Sequence, residues 1–256
     1  MASNEATTIR KRPNPIGAVW RHQLVQAFFN DRITLISASF LFLIMLAAVF
    51  APIVAPFDPE DQQVRLRHLA PLSTGMAVDD TVSPPVKSER FFLLGTDHLG
   101  RDYLSRLIYG GRISISVGLL GVLVSSIIGV FLGVVAGFYR GVVDDVIMRA
   151  VDVFMAIPLL LLALIVLFVL GPSFTNIIIV FALGRWMLFC RVTRGLVLSL
   201  KEQAFVDAAV ATGCSDYRIM ARHVMPNLIT PVLTLAALGV PQNILTESTL
   251  SFLGFG

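Results

Sequence analysis

Residues 95–102, GTDHLGRD, have the spacing of a phosphate-binding loop, in which backbone N–H groups cradle phosphate oxygens and a Lys-Ser/Thr pair completes the site. Arg101 and Asp102 stand where the lysine and the hydroxyl belong. A carboxylate at the magnesium-facing position changes the charge pattern of the site, and no buried strand is expected before it, so the match makes no nucleotide site. Asp144, Asp145 and Asp152 offer oxygen ligands, but neither a histidine nor a second oxygen cluster joins them; a solvated helix face is the expected reading. His22, His68, His98 and His223 are scattered among polar segments, and HExxH, hydrolase-type GxSxG and paired histidines are absent. Cys190 and Cys214 have no pairing pattern and read as free thiols. The sequence thus predicts no catalytic residues, no metal and no cofactor bound by this chain. A net charge of +3 without a basic, aromatic-laced stripe predicts no nucleic-acid partner.

The remaining chemistry-bearing residues sit in or between apolar runs, and those runs decide the class. Hydrophobic residues make up 55% of the 256 and charged residues only 14%, against about 25% in soluble domains. Uncharged stretches at 33–51, 113–138, 153–171, 174–190 (with one Arg) and 228–246 each approach the roughly 20 residues that a spanning helix needs. Lipid leaves exposed backbone groups unsatisfied, so open-chain spans must be helices. The expectation is an all-α polytopic membrane protein with five spans, the first retained because it lacks a small-residue cleavage site. Twelve Lys/Arg on one side against seven on the other favour a cytoplasmic N-terminus.

In chain order, residues 1–32 read as a cytoplasmic arm with an amphipathic stretch at the membrane surface, Trp20 and Phe28/Phe29 at headgroup level. The first span is 33–56. Residues 57–112 form an extracytoplasmic loop, irregular over the Pro- and charge-rich 57–94, then an interfacial helix with Leu104, Leu107 and Ile108 on one face. Residues 113–256 hold spans at about 113–138, 153–171, 174–190 and 228–250, with a cytoplasmic loop at 191–227.

Within these spans, Ser125, Gly129, Gly133 and Gly137 recur at every fourth position. Small residues at that interval let helices approach closely, and intrachain packing is preferred to a subunit interface. Arg185 lies five residues from the end of its run, where snorkelling to the cytoplasmic interface is preferred to lining a pathway. Pro241, Gln242, Asn243 and Glu247 share one stretch; the proline permits a kink, and Glu247 either faces a polar passage or marks the outer interface.

The stretch 199–227 is too polar to span. SLKEQAFVDAAVATG reads as a helix with Ala204, Ala208 and Ala211 on one flat face, ended by Gly213 in a left-handed cap. Ser215 is placed to cap a second short helix, and Pro226 to start the last span. A flat alanine face flanked by charges suits docking into another protein's groove better than lying on lipid, which calls for a strong apolar stripe.

DAAVATG, nine residues, then HVMP resembles the EAA loop (EAA-x3-G-x9-I-x-L-P) of permease subunits of binding-protein-dependent ABC importers. Asp207, His223 and Met225 depart from the motif; Ala208, Ala209, Gly213 and Pro226 keep it. LLGTDHLGRDYLSRLIYGGRISISVG, GFYRGVVDDVIMRAVDVFMAIP and ESTLSFLGFG extend the likeness, from about residue 30 onward, to the C-type permeases of the dipeptide/oligopeptide/nickel branch. The resemblance implies a type I ABC importer transmembrane fold in a bacterial inner membrane. It implies a second homologous permease as heterodimer partner, two cytoplasmic ATPases that bind ATP and Mg, and an extracytoplasmic binding protein. By position, Glu202, Ala204, Phe205, Asp207, Ala208, Ala209, Gly213 and Pro226 would form the ATPase-coupling segment. The family continues past LSFLGFG to a sixth span, which this sequence does not reach. Cargo is expected to be di- or oligopeptide, with nickel, an opine or a glutathione-like compound as alternatives. A self-sufficient secondary transporter is disfavoured, because it calls for internal repeats and mid-span ionisable groups.

Overall fold

The computed structural model describes residues 29–79 and 86–255. The amphipathic arm therefore lies, through residue 28, outside the described residues, Trp20 and Phe28 included, as does the 80–85 part of the Pro-rich stretch. Helix α1 (Arg32–Val49) starts where the Asp31 carboxylate accepts the Ile33 N–H at 3.1 Å. It buries only Ala48 and leaves Ile33, Ile36 and Phe40 exposed, a helix apolar all round that lipid must cover. A single turn, α2 (Ala51–Val54), follows.

The segment read as irregular contains ordered structure. Strands β1 (Ser73–Asp79) and β2 (Val86–Phe92) form an antiparallel hairpin in register Ser73 to Phe92. Its small core joins Leu66, Ala77 and Phe92 with Phe57 and Leu69. The Gln63 side-chain amide imitates a strand, donating to the Val78 carbonyl at 3.1 Å and accepting the Val78 N–H at 3.2 Å. The phosphate-loop decoy is filled by its own aspartate. Asp97 Oδ1 accepts the N–H groups of Leu99 and Arg101, and Oδ2 accepts Arg101 Nε and Arg106 Nη1. Burial pushes the Asp97 carboxyl up, but the N–H groups of Arg101 and Leu99 and the Arg101 guanidinium outweigh it and hold it down at about 2.

Helix α3 (Tyr103–Tyr139) is 37 residues long, about 55 Å, so the expected interfacial helix and the second span are one continuous rod. Asp102 opens it by accepting the Ser105 N–H and hydroxyl at 2.8 and 2.7 Å. Gly110 and Gly111 lie inside it without interrupting it, and a Cβ built on either would meet nothing within 4 Å. Helices α4 (Gly141–Met155) and α5 (Leu159–Leu170) correct the expected span 153–171: they meet at 83°. Pro158 forces the break, because it lacks an N–H and disfavours helical geometry at Ile157 before it. Asp145 is exposed, as a solvated face requires, but the other two α4 acids are paired. Arg194 holds Asp144, and Arg191 pairs with Asp152.

Helix α6 (Phe174–Lys201) begins at the Ser173 cap and runs eleven residues beyond the expected end of its span. Helix α7 (Ala204–Ala211) and the short α8 (Asp216–Ile219) follow. Pro226 lies in the first turn of the last α-helix, as expected, but that helix does not start afresh. One π turn, Met220–Val224, joins α8 to α9 (Met225–Phe252), giving a single apolar rod from Asp216 to Phe252. The Met225 N–H reaches back five residues to Met220, a wide turn inserted just before the ring that a regular ladder would not accommodate.

The bundle centres on α3 against α6. A Cβ on Gly133 would sit 2.5 Å from the Cys190 carbonyl oxygen, and one on Gly137 2.8 Å from Val197 Cβ; Gly129 lies as tightly under Trp186 and Phe189. Gly118 and Gly121 continue the close approach toward α9, at Ile244 and at Asn243 with Phe181. This is the small-residue packing that lipid requires in place of a hydrophobic drive. Among the described residues four helices, α1, α3, α6 and the α8–α9 rod, are long and apolar enough to cross a membrane, or five spans with the bent α4–α5 pair.

Candidate functional site

Two places gather the chemistry-bearing residues: the α6–α7–α8 corner, and a polar seam between α6 and α9. At the corner, Val206 and Ala209 point inward, three residues apart on one helix face, into a cluster with Val134, Phe138, Val197, Ile219, Val224 and Leu228. The opposite face, Ala204, Ala208 and Ala211, is exposed, with Asp207 on its flank. Ala209, expected among the contact residues, is only 7% exposed and belongs to the core. Phe205 is at the boundary, its ring centre 6.4 Å from that of His223. Glu202 caps α6 and reaches Arg140 at 3.5 Å, an exposed pair worth little.

The turn after α7 is a Schellman motif. Gly213, at φ +77°, donates to Val210 at 2.9 Å, and Cys214 donates to Ala209 at 3.1 Å, which satisfies the last carbonyls and fixes the angle to α8. Ser215 occupies the cap position of α8 without a side-chain hydrogen bond. Pro226 is exposed and lies inside the continuous rod. Lys201 ties the corner to α3, donating to the Phe138 carbonyl at 2.7 Å with its ammonium 4.6 Å from that ring's centre. The α7 face is therefore presented on a rigid mount, clamped at both ends to long helices.

In the seam, Arg185 does not reach for a helix end. Its Nη1 crosses to Gln242 Oε1 of α9 at 2.8 Å. Its Nε is buried without a partner. Asn243 is fully buried, donates to the Gly118 carbonyl at 3.4 Å and leaves Oδ1 unpartnered. Glu247, one turn further, is 6% exposed; Ser114 and Ser251 donate to its two oxygens, each at 2.8 Å. The carboxylate thus joins α3 to α9. Arg185 and Gln242 come together on the outward side of α9, whereas Asn243 and Glu247 are buried against α3, and Arg185 and Glu247 do not pair. Sequence reasoning missed Ser114 and Gly118 as partners of α9; the GLLG spacing at 118–121 was the available signal. Among the described residues no group of three or more His, Cys, Asp or Glu could hold a metal.

This arrangement has relatives. Residues 129–256 match the family described as "Binding-protein-dependent transport system inner membrane component". Residues 18–71 match "N-terminal TM domain of oligopeptide transport permease C". The chain is similar to the "Di/tripeptide transport system permease protein DppC" of Pseudomonas aeruginosa (strain UCBPP-PA14), 36% identical over 247 residues, covering 95% of this chain and 75% of that one. It is similar to the "Dipeptide transport system permease protein DppC" of Haemophilus influenzae, 36% identical over 229 residues, 90% and 74% of the two chains. It is also similar to the "Glutathione transport system permease protein GsiD" of Escherichia coli O6:K15:H31, 34% identical over 245 residues, 96% and 75%. A mostly helical chain with this bundle and these relatives belongs to the family of inner membrane components of binding-protein-dependent transport systems, as a multi-pass permease subunit of an ABC importer.

Proposed function

We propose that this chain forms half of the translocation pathway for short peptides or a glutathione-like solute, and that α7 transmits the stroke of cytoplasmic ATPases to the membrane bundle. The observation that carries the coupling reading is the outward Ala204–Ala208–Ala211 face, held rigid by the buried Val206 and Ala209 beneath it. Small side chains let a groove close on the helix backbone, and Asp207 and Glu202 supply charge at its rim. ATP and Mg belong to the ATPase subunits in this reading; the chain itself binds no cofactor and performs no catalysis. A second, homologous permease completes the pathway, an extracytoplasmic binding protein delivers the cargo, and the N-terminus is cytoplasmic. The cargo class is supported by the peptides named for the relatives.

The test is purification of the tagged chain from its native membrane in gentle detergent, with mass spectrometry of what co-purifies, beside an Ala208→Glu variant. An ATPase and a second permease are expected with the parent chain, and the ATPase is expected to be lost from the variant. If the variant keeps the ATPase, α7 is not the coupling contact.

A further inference from the structure

We infer that the Arg185–Gln242 pair is a binding point for the carboxylate of the cargo inside the translocation pathway; this rests on the peptide-permease reading above.

Depth comes first. Arg185 is eleven residues from the Phe174 start of α6, and Gln242 is ten from the Phe252 end of α9, which lies on the same side of the bundle. At 1.5 Å per residue both are about 15 Å in, half of a roughly 30 Å hydrocarbon layer. Their hydrogen bond at 2.8 Å therefore lies roughly three turns inside both helices, within their apolar length.

Charge comes next. Among the described residues no carboxylate is within ion-pair distance of Arg185. Glu247, on the same helix as Gln242, is already held by Ser114 and Ser251. A guanidinium at this depth without an anion is expensive, and such groups face a cavity or a partner rather than lipid. Gln242 is exposed on α9, so the pair looks outward from the bundle rather than into it. Gln242 engages Nη1, which leaves Nε buried and unpartnered and Nη2 free. Nη2 is the donor left for a carboxylate to approach, and a hydrogen bond between two ionised groups is a strong one. Gln242 holds the fork in place without neutralising it. A passing peptide supplies the missing anion at its C-terminus and takes it away on leaving, so the charge is matched only while cargo is present.

The experiment uses the whole transporter, with its ATPases, second permease and binding protein, in proteoliposomes. The probes are trialanine and its C-terminal amide, each at a concentration shown to load the binding protein fully. The expected result is that Arg185→Gln lowers ATP-driven uptake of trialanine by about tenfold or more while leaving the amide near its parental rate. Gln242→Glu, which gives Arg185 a permanent carboxylate, is expected to do the same from the other side of the pair. Equal loss for both probes, an unchanged acid-to-amide ratio, or loss of the second permease from purified Arg185→Gln would each overturn the site and leave the permease reading standing. No ATP-driven uptake of either probe by the parent transporter would overturn the peptide reading itself, and the site with it.

Discussion

Arg194 grips Asp144 with both sides of its guanidinium fork, Nε to Oδ1 at 2.7 Å and Nη2 to Oδ2 at 2.6 Å, and so locks α4 to α6. Asp144 is 8% exposed, which shields the pair from solvent screening on one side. Asp144→Asn is expected to lower the stability of the purified protein by about 2 kcal/mol, since it leaves a half-buried cation against a neutral amide. Arg194→Lys keeps the charge but loses the fork and should cost about half as much. Thermal unfolding in detergent measures both; equal melting temperatures for parent and Asp144→Asn would show that the lock contributes nothing.

The glycine ladder makes a sharper contrast. Gly129→Ala pushes a methyl group into the Trp186 backbone and the Phe189 side chain, and should cost about 2–3 kcal/mol by forcing α3 away from α6. Gly111→Ala in the same helix meets nothing within 4 Å and should stabilise by roughly 0.5–1 kcal/mol. Opposite shifts in melting temperature are the expected readout.

Asp97 sets a pH dependence outside the membrane. Its carboxyl is held at about 2, below its ordinary 3.8. A group depressed in the folded state stabilises fully above its unfolded value and loses that stabilisation as pH falls toward the folded one. The segment around the hairpin should therefore loosen between about pH 4 and pH 2, losing about 2 kcal/mol of local stability. Asp97→Asn should remove the stabilisation at pH 7 and flatten the acid dependence. Hydrogen exchange of residues 63–78 and 86–102 reads both effects.

Adjacent alanines on α7 should behave oppositely. Ala209→Asp puts a carboxylate into the cluster of Val206, Ile219 and Val224 without a partner, and should destabilise by about 2 kcal/mol or more. Ala208→Glu, on the exposed face, should leave the melting temperature unchanged while abolishing ATP-driven uptake.

The sequence made the membrane class readable because each span needs a long uncharged run, which few other structures produce. The ladder at 129–137 was equally plain, since small residues at every fourth position have one strong physical use. Other features were hidden for identifiable reasons. The strands of the hairpin, STGMAVD and VKSERFF, alternate weakly and are joined by Pro-rich chain. Pro158 signals trouble for a helix but not whether it kinks or turns through 83°. Ala208 and Ala209 are chemically identical, so only packing against Val206's neighbours separates inside from outside. Arg185's partner lies 57 residues away, and no local pattern encodes a meeting at that separation.

The π turn between α8 and α9 sets a gearing. It leaves a short arm of four α8 residues, about 6 Å, on one side, and on the other a long arm that reaches Gln242 about 27 Å beyond. A tilt about that fulcrum that shifts the α8 tip by one ångström sweeps Gln242 through about four, enough to pull it off Arg185. Any tilt about that turn is therefore larger at Gln242 than at the α8 tip, by the ratio of the two arms.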